Sequence, residues 1–116
     1  MKNLIAIKER YLKEPFSRRL GHLASDLARI SSFLDNSANL EAVEDILEES
    51  KFFIEWTAPE ASLDVKVLLS EIQSRLALSQ RHLPHQKNDA KEIEELKKAT
   101  KNWSEQLIEI SGLLVV

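Results

Sequence analysis

Apolar side chains recur in alternating steps of three and four residues along most of this 116-residue chain. Between positions 15 and 34 the recurring residues are Phe16, Leu20, Leu23, Leu27, Ile30 and Leu34. This spacing places all six on one face of an α-helix, whereas a strand would require alternation at every second residue. Three later segments have the same period, so the spacing predicts an all-α fold.

The predicted helices cover about residues 2–13, 15–34, 40–56, 58–83 and 89–111, within a single domain that spans residues 1–116. Turns of about five residues or fewer separate them, and such short connections place successive helices antiparallel to one another. The expected architecture is therefore an up-down-up-down antiparallel four-helix bundle with a short additional N-terminal helix.

Capping residues set the expected ends of the later helices. Thr57 and Glu60 have the spacing of a capping box, which would start the fourth helix at residue 58. Asp89 and Glu92 repeat this spacing before the last helix, and Gly112 is placed to stop that helix in a left-handed conformation. We expect the apolar tail, residues 113–116, to dock on the bundle.

The composition excludes several function classes. Two Gly and no Cys argue against glycine-rich phosphate loops, disulfides and thiolate metal sites. A net charge of -3 gives no global basic field for nucleic acid or an anionic membrane. The longest apolar runs have four residues, too few for a membrane span or a signal peptide. We expect a cytoplasmic protein with no cofactor and no small-molecule substrate.

Four-helix bundles often hold di-iron sites built from Glu-x-x-His pairs. His22, His82 and His85 are preceded at that spacing by Arg19, Ser79 and another histidine, so the pattern is absent. A proline between His82 and His85 breaks the helical register that would hold both imidazoles on one face. No metal site is predicted.

One alternative function uses His22 as a phosphoacceptor. The size and helical pattern resemble histidine-containing phosphotransfer domains, and His22 lies beside the apolar stripe at a bundle-surface position. That family usually has a Lys and a Gly one turn later, where this chain has Ser25 and Asp26. An acid four residues on would repel a phosphohistidine. The competing interpretation is a boundary histidine with a packed ring.

A second alternative is a ribonuclease. Helical domains of the HEPN type carry an Arg, four to six residues and then a His, and Arg75 and His82 have six residues between them. The polar residue that usually follows the Arg is Leu76 here. The competing interpretation is an exposed Arg on a long helix.

Charge is unevenly distributed along the chain. Residues 1–34 hold seven Lys and Arg against three acids, whereas residues 35–64 hold one Lys against nine acids. Opposite charges on two neighbouring helices would favour their pairing. Otherwise the acids form a binding face for a basic partner, with these candidate residues: Glu41, Glu44, Asp45, Glu48 and Glu49.

Phe52 and Trp56 widen the apolar arc at the end of the same helix. Either the N-terminal helix covers them, or they form an exposed patch that binds a partner or a second copy of the chain. Intramolecular cover is the preferred interpretation.

Three segments resemble a small family of uncharacterised helical proteins from cyanobacteria: Ile7–Lys13, Leu20–Ile30 and Glu49–Thr57. The resemblance implies a cytoplasmic, bacterial protein and brings no activity, cofactor or catalytic residue. With no catalytic constellation in the sequence, the leading hypothesis is a non-catalytic interaction or regulatory module that binds a protein partner or forms a homodimer.

Overall fold

The structure, a computed structural model, describes residues 3–83 and 90–112. Its helices are α1 (Leu4–Lys13), α2 (Phe16–Phe33), α3 (Leu40–Thr57), α4 (Leu63–His82) and α5 (Ala90–Ser111). Short 3-10 turns, Ser37–Asn39 and Ala58–Glu60, precede α3 and α4. No strand occurs within the described ranges, which confirms the all-α prediction.

Helix α2 lies at the centre of the fold and packs against α3 on one side and α5 on the other, while α4 packs against α3. The largest fully buried side chains come from all four of these helices: Leu20, Leu23, Leu27, Ile30, Val43, Leu47, Leu69, Ile72, Leu76, Leu96 and Leu107. Burying one such side chain contributes about 1.5–3 kcal/mol. Helices α4 and α5 are linked by an ion pair between Arg75 and Glu92, at 2.8 Å.

Two serine hydroxyls join α2 to α5. Ser104 donates to the Ala24 carbonyl at 2.7 Å, and Ser31 donates to the Lys97 carbonyl at 2.9 Å. Ser104 is buried, while Ile110 near the end of α5 is 46% exposed. The buried stripe of α5 therefore includes a polar residue whose hydroxyl bonds the neighbouring helix.

Helix α4 begins at Leu63, five residues later than the expected start. Thr57 does not cap it, because its hydroxyl bonds the Tyr11 hydroxyl instead, at 2.6 Å. The N-cap is Ser62, whose hydroxyl accepts from the Val65 amide at 3.4 Å. The other described helix ends lie within two residues of the predicted ones.

Gly112 adopts the predicted left-handed conformation, with φ of 70°, directly after α5. The predicted turn between residues 83 and 89, which includes His85, the predicted cap Asp89 and the apolar tail at 113–116 lie outside the described residues. Across the parts of the chain that are described, no helix combines the length and the apolar character that crossing a bilayer requires.

Candidate functional site

The predicted acidic residues lie on two different sides of α3. Glu41, Asp45, Glu48, Phe52 and Glu55 follow one another in steps of four and three, which places them on one face of the helix. Glu41, Asp45 and Glu55 are exposed, and Glu48 and Phe52 are half-buried. These five residues and the adjacent, half-buried Glu44 form what we call the acidic face. Glu49 lies outside it, in a groove towards α1 and α2.

The chain's own cations leave much of the acidic face unpaired. No described cation forms an ion pair with Glu41, Glu44, Asp45 or Glu55. The expected charge pairing between residues 1–34 and 35–64 occurs instead in the turn after α3, where Arg19 bonds Glu60. The carboxylates of Glu41, Glu44, Asp45 and Glu55 therefore form no ion pair with any described residue and can pair with a partner.

The N-terminal helix covers Trp56. The indole is 9% exposed, with the Tyr11 ring 5.9 Å from it and the Lys8 ammonium 5.9 Å above its face. The half-buried Phe52 stacks on Trp56 with ring centroids 5.6 Å apart. Of the two predicted contact residues, Phe52 therefore retains surface for a partner, while Trp56 is largely enclosed within the chain.

A buried hydrogen-bond network fixes α1 against α2 and α3. The Tyr11 hydroxyl donates to the Arg19 carbonyl at 3.0 Å, which leaves the Thr57 hydroxyl as donor in the bond between Tyr11 and Thr57. The Tyr11 ring stacks on Phe53 with centroids 4.1 Å apart. Burial is the largest of the effects that raise the pKa of Tyr11 to about 12, so this phenol stays neutral and protonated.

Arg19 is 4% exposed, yet its guanidinium has partners on several sides. Its Nε donates to the Glu14 carbonyl at 3.1 Å, and its Nη1 donates to Glu60 at 2.5 Å. The guanidinium also lies 5.7 Å from the Phe16 ring centroid. The hydrogen bond between Arg19 and Glu60 is the largest cause of two opposite shifts: it raises the pKa of Arg19 and lowers the pKa of Glu60.

An open groove of about 450 Å³ lies between α1, α2 and α3. Its walls combine apolar and charged side chains: Ile7, Arg10, Tyr11, Glu14, His22, Ser25, Asp26, Arg29, Glu49 and Phe53. The volume is in the range of small-molecule or side-chain sites in proteins. We call it the α1–α3 groove.

Asp26 is the buried charged residue of the α1–α3 groove, at 4% exposure. Its Oδ1 lies 3.4 Å from the Arg29 Nη1, longer than a strong charge-assisted bond, and its Oδ2 has no hydrogen-bond partner. Burial is the main cause that raises its pKa to about 8, and the nearby Glu49 carboxylate adds to the rise. At neutral pH Asp26 therefore holds a proton that it can donate to Glu49.

Sequence reasoning missed Asp26 as a buried group. A signal was present, because Arg19, Leu23, Asp26 and Ile30 have the same 4, 3, 4 spacing as the apolar stripe. Two charged residues thus occupy positions of core periodicity and mark buried polar contacts.

The residues of the two alternative functions, phosphotransfer and RNA cleavage, are His22, Arg75 and His82. His22 is exposed at the rim of the α1–α3 groove, with its ring 6.3 Å from that of Tyr11. Arg75 is paired with Glu92, and the half-buried His82 lies seven residues further along α4, about 10 Å along the helix axis. Within residues 3–83 and 90–112, no three His, Asp or Glu side chains form a group suited to a metal ion.

The chain was compared with protein-family models, with curated proteins and with solved structures. No family model, no curated protein and no solved structure matches it.

Proposed function

We propose that this chain is a non-catalytic helical protein that binds a basic segment of a protein partner along the acidic face of α3. The observation that supports this function is the set of unpaired carboxylates on that face: Glu41, Glu44, Asp45 and Glu55. Half-buried Phe52 lies on the same face, between Glu48 and Glu55, and offers an apolar contact to a partner.

The charge of this face specifies the chemistry of the partner. Carboxylates at helical spacing repel one another unless cations lie between them. A segment that carries Lys or Arg would relieve this repulsion and be steered to the face by the field of the acids. The binding is therefore expected to weaken as the salt concentration rises, because exposed charges are screened.

The proposal includes an up-down-up-down bundle as the arrangement of helices that positions the acidic face. The packing of α2 against α3, of α3 against α4 and of α2 against α5 supports it. The cytoplasmic location and the resemblance to the cyanobacterial family stay predictions.

The test uses a synthetic 14-residue amphipathic peptide, with Lys on one helical face and Leu on the other, and measures its binding by fluorescence anisotropy. Replacing Glu41, Glu44 and Asp45 by Gln, Gln and Asn should weaken binding about tenfold at about 0.1 M salt, since three surface ion pairs of about 0.5 kcal/mol each amount to one factor of ten. A peptide with Glu in place of Lys is the probe control.

A matched triple variant separates local from global charge. Glu71, Glu95 and Glu109 are exposed on α4 and α5, and their replacement by Gln changes the net charge by the same three units. This control should keep the affinity within about twofold of wild type, because distant exposed charges are screened. Equal weakening by both triple variants would overturn the proposed face.

The partner that binds the acidic face can also be a second copy of this chain, which would make the protein a homodimer. The basic segment, residues 1–34, supplies the complementary charge. Gel filtration with light scattering tests it, with Phe52→Asp as the variant, because a change at the enclosed Trp56 would also disturb the packing of α1. A wild-type monomer at millimolar concentration would exclude the dimer.

Phosphotransfer through His22 and RNA cleavage through Arg75 and His82 also stay predictions. The first requires acid-labile labelling of the chain that disappears in His22→Gln. The second requires RNA cleavage that disappears in His82→Ala. The pairing of Arg75 with Glu92 makes the second the less favoured of the two.

A further inference from the structure

The α1–α3 groove contains a carboxyl pair, Asp26 and Glu49, in which Asp26 Oδ1 has a long contact with Arg29 and Asp26 Oδ2 has no hydrogen-bond partner among the described residues. The Asp26 side chain is 6% exposed, and Glu49 lies within hydrogen-bonding reach of it. When both groups are ionised they are acceptors only, so Asp26 Oδ2 then faces no donor. A buried acceptor without a donor costs about 1–3 kcal/mol and calls for an explanation.

No cation among residues 3–83 and 90–112 forms a hydrogen bond with Asp26 Oδ2. Arg29 approaches Oδ1 at 3.4 Å, while its guanidinium also lies 5.9 Å from the Phe33 ring and its side chain is about half exposed. Arg10 is exposed on α1, and no ion pair joins it to Asp26. Two carboxylates are also too few to form a metal site, and no group of three metal-binding side chains occurs among the described residues.

We propose that the α1–α3 groove binds a guanidinium group, with the Asp26 and Glu49 carboxylates accepting hydrogen bonds from its N–H donors. A guanidinium presents its donors in a planar fork that engages neighbouring carboxylate oxygens together. Its carbon chain would contact Ile7, and its flat face would lie against the aromatic wall formed by Tyr11 and Phe53. This site is separate from the acidic face and does not depend on the function proposed for that face.

Binding of the guanidinium releases the proton from Asp26. The proton passes to the buffer, and the Asp26 carboxylate then carries the charge that pairs with the ligand. Because the pKa of Asp26 is about 8, the ionised form that binds becomes more abundant as the pH rises. The other charged or titratable groups that line the groove are Arg10, Tyr11 and Glu14 on α1, His22 and Arg29 on α2, and Glu49 on α3.

The probe is ethylguanidinium, which stays charged across the range tested. NMR titration at pH 9 should give saturable shifts for the amides of Ser25, Asp26 and Glu49. At pH 6 the apparent Kd should be weaker by roughly 50- to 100-fold, because about one Asp26 in a hundred is then ionised. Titration in two buffers of different ionisation enthalpy should show release of about one proton per ligand at pH 7.

Controls assign the effect to Asp26. Asp26→Asn keeps the shape of the side chain and should abolish both saturable binding and proton release, while His22→Gln should leave the pH dependence in place. Ethylurea, the neutral counterpart of the probe, should not bind. An acetylated Gly-Arg-Gly amide separates the two sources: tighter binding of this peptide assigns the site to an arginine of a partner, and binding of ethylguanidinium alone assigns it to a small molecule.

Three outcomes would each overturn the site. They are the absence of saturable shifts up to about 100 mM ethylguanidinium at pH 9, equal binding to Asp26→Asn, and binding that does not change between pH 6 and pH 9. None of these depends on the amphipathic peptide used for the acidic face, so the two proposals fail separately.

Discussion

Helix α2 buries two ionisable side chains seven residues apart, and the two differ in their hydrogen-bond partners. Arg19 and Asp26 are each 4% exposed and lie on the same side of the helix. Arg19 donates to the Glu14 carbonyl and to the Glu60 carboxylate, and its own carbonyl accepts from Tyr11. Asp26 has one long contact with a cation and one oxygen without a donor.

This difference separates a structural contact from a binding site. The partners of Arg19 are Tyr11 on α1, Glu14 directly after α1 and Glu60 in the turn after α3, so the network holds these parts of the chain to α2. Beside Asp26, Glu49 is a like charge when both groups are ionised, and it accepts a hydrogen bond only when Asp26 keeps its proton. Arg19 can be buried as a charged group because its guanidinium is paired. Asp26 can be buried because it keeps a proton and is then neutral.

The largest expected effect comes from breaking the paired region at Tyr11. Tyr11→Ala removes a buried ring that contacts Phe53 and Trp56, so it should lower the free energy of unfolding by about 3–5 kcal/mol. Tyr11→Phe keeps the ring and leaves the Arg19 carbonyl and the Thr57 hydroxyl without this partner, which should cost about 1–3 kcal/mol. Urea denaturation at pH 7 measures both.

Leu12→Ala is the control on the same helix, because the Leu12 side chain is exposed. It should change stability by less than about 0.5 kcal/mol. Equal effects of Tyr11→Ala and Leu12→Ala would mean that α1 is not held by the Tyr11 network.

The next effect belongs to Asp26 and depends on pH. Because its pKa is raised above that of an unfolded chain, protonated Asp26 favours the folded state at low pH, and this contribution is lost as the pH rises from about 4 through about 8. Asp26→Asn remains neutral and can still donate to Glu49. It should therefore match wild type near pH 4 and exceed it by a margin that grows as the pH rises to about 8.

Urea midpoints of both proteins at pH 5, 7 and 9 measure this difference, and Glu71→Gln on the exposed surface of α4 serves as the control. A constant difference between Asp26→Asn and wild type at all three pH values would contradict the raised pKa. A variant less stable than wild type at pH 9 would show that the carboxylate is paired in the folded state.

The spacing of apolar residues within each segment predicts the helices and most of their ends. It does not predict the polar contacts between helices. The steps of three and four residues locate the buried leucines of α2, because that information lies within one helix. The Thr57 hydroxyl has the sequence context of a cap, yet its partner is Tyr11, 46 residues away. A contact between residues so far apart in sequence depends on how α1 packs against α3. A pattern within one helix carries no information about that packing.

The candidate binding residues show the same division. The acidic side chains of α3 were predictable as a group, since helical periodicity places most of them on one face. The separation of Glu49 from that face, and its position beside Asp26, depend on the groove that α1 and α2 complete. Charged residues at core spacing were the signal in the sequence, and three-dimensional packing decides which of them finds a partner.

The smallest expected effect tests the Arg19 region with the opposite pH dependence. The hydrogen bond from Arg19 lowers the pKa of Glu60, so the ionised Glu60 favours the folded state above about pH 5, and that contribution is lost as the pH falls through the lowered pKa. Glu60→Gln should therefore be less stable than wild type at pH 7 and approach it as the pH falls through the lowered pKa of Glu60. Because Glu60 is exposed, the difference should be smaller than that of Asp26→Asn at pH 9. Glu55→Gln, an exposed residue without a described ion pair, is the control, and an equal loss in both variants at pH 7 would contradict a specific contact between Glu60 and Arg19.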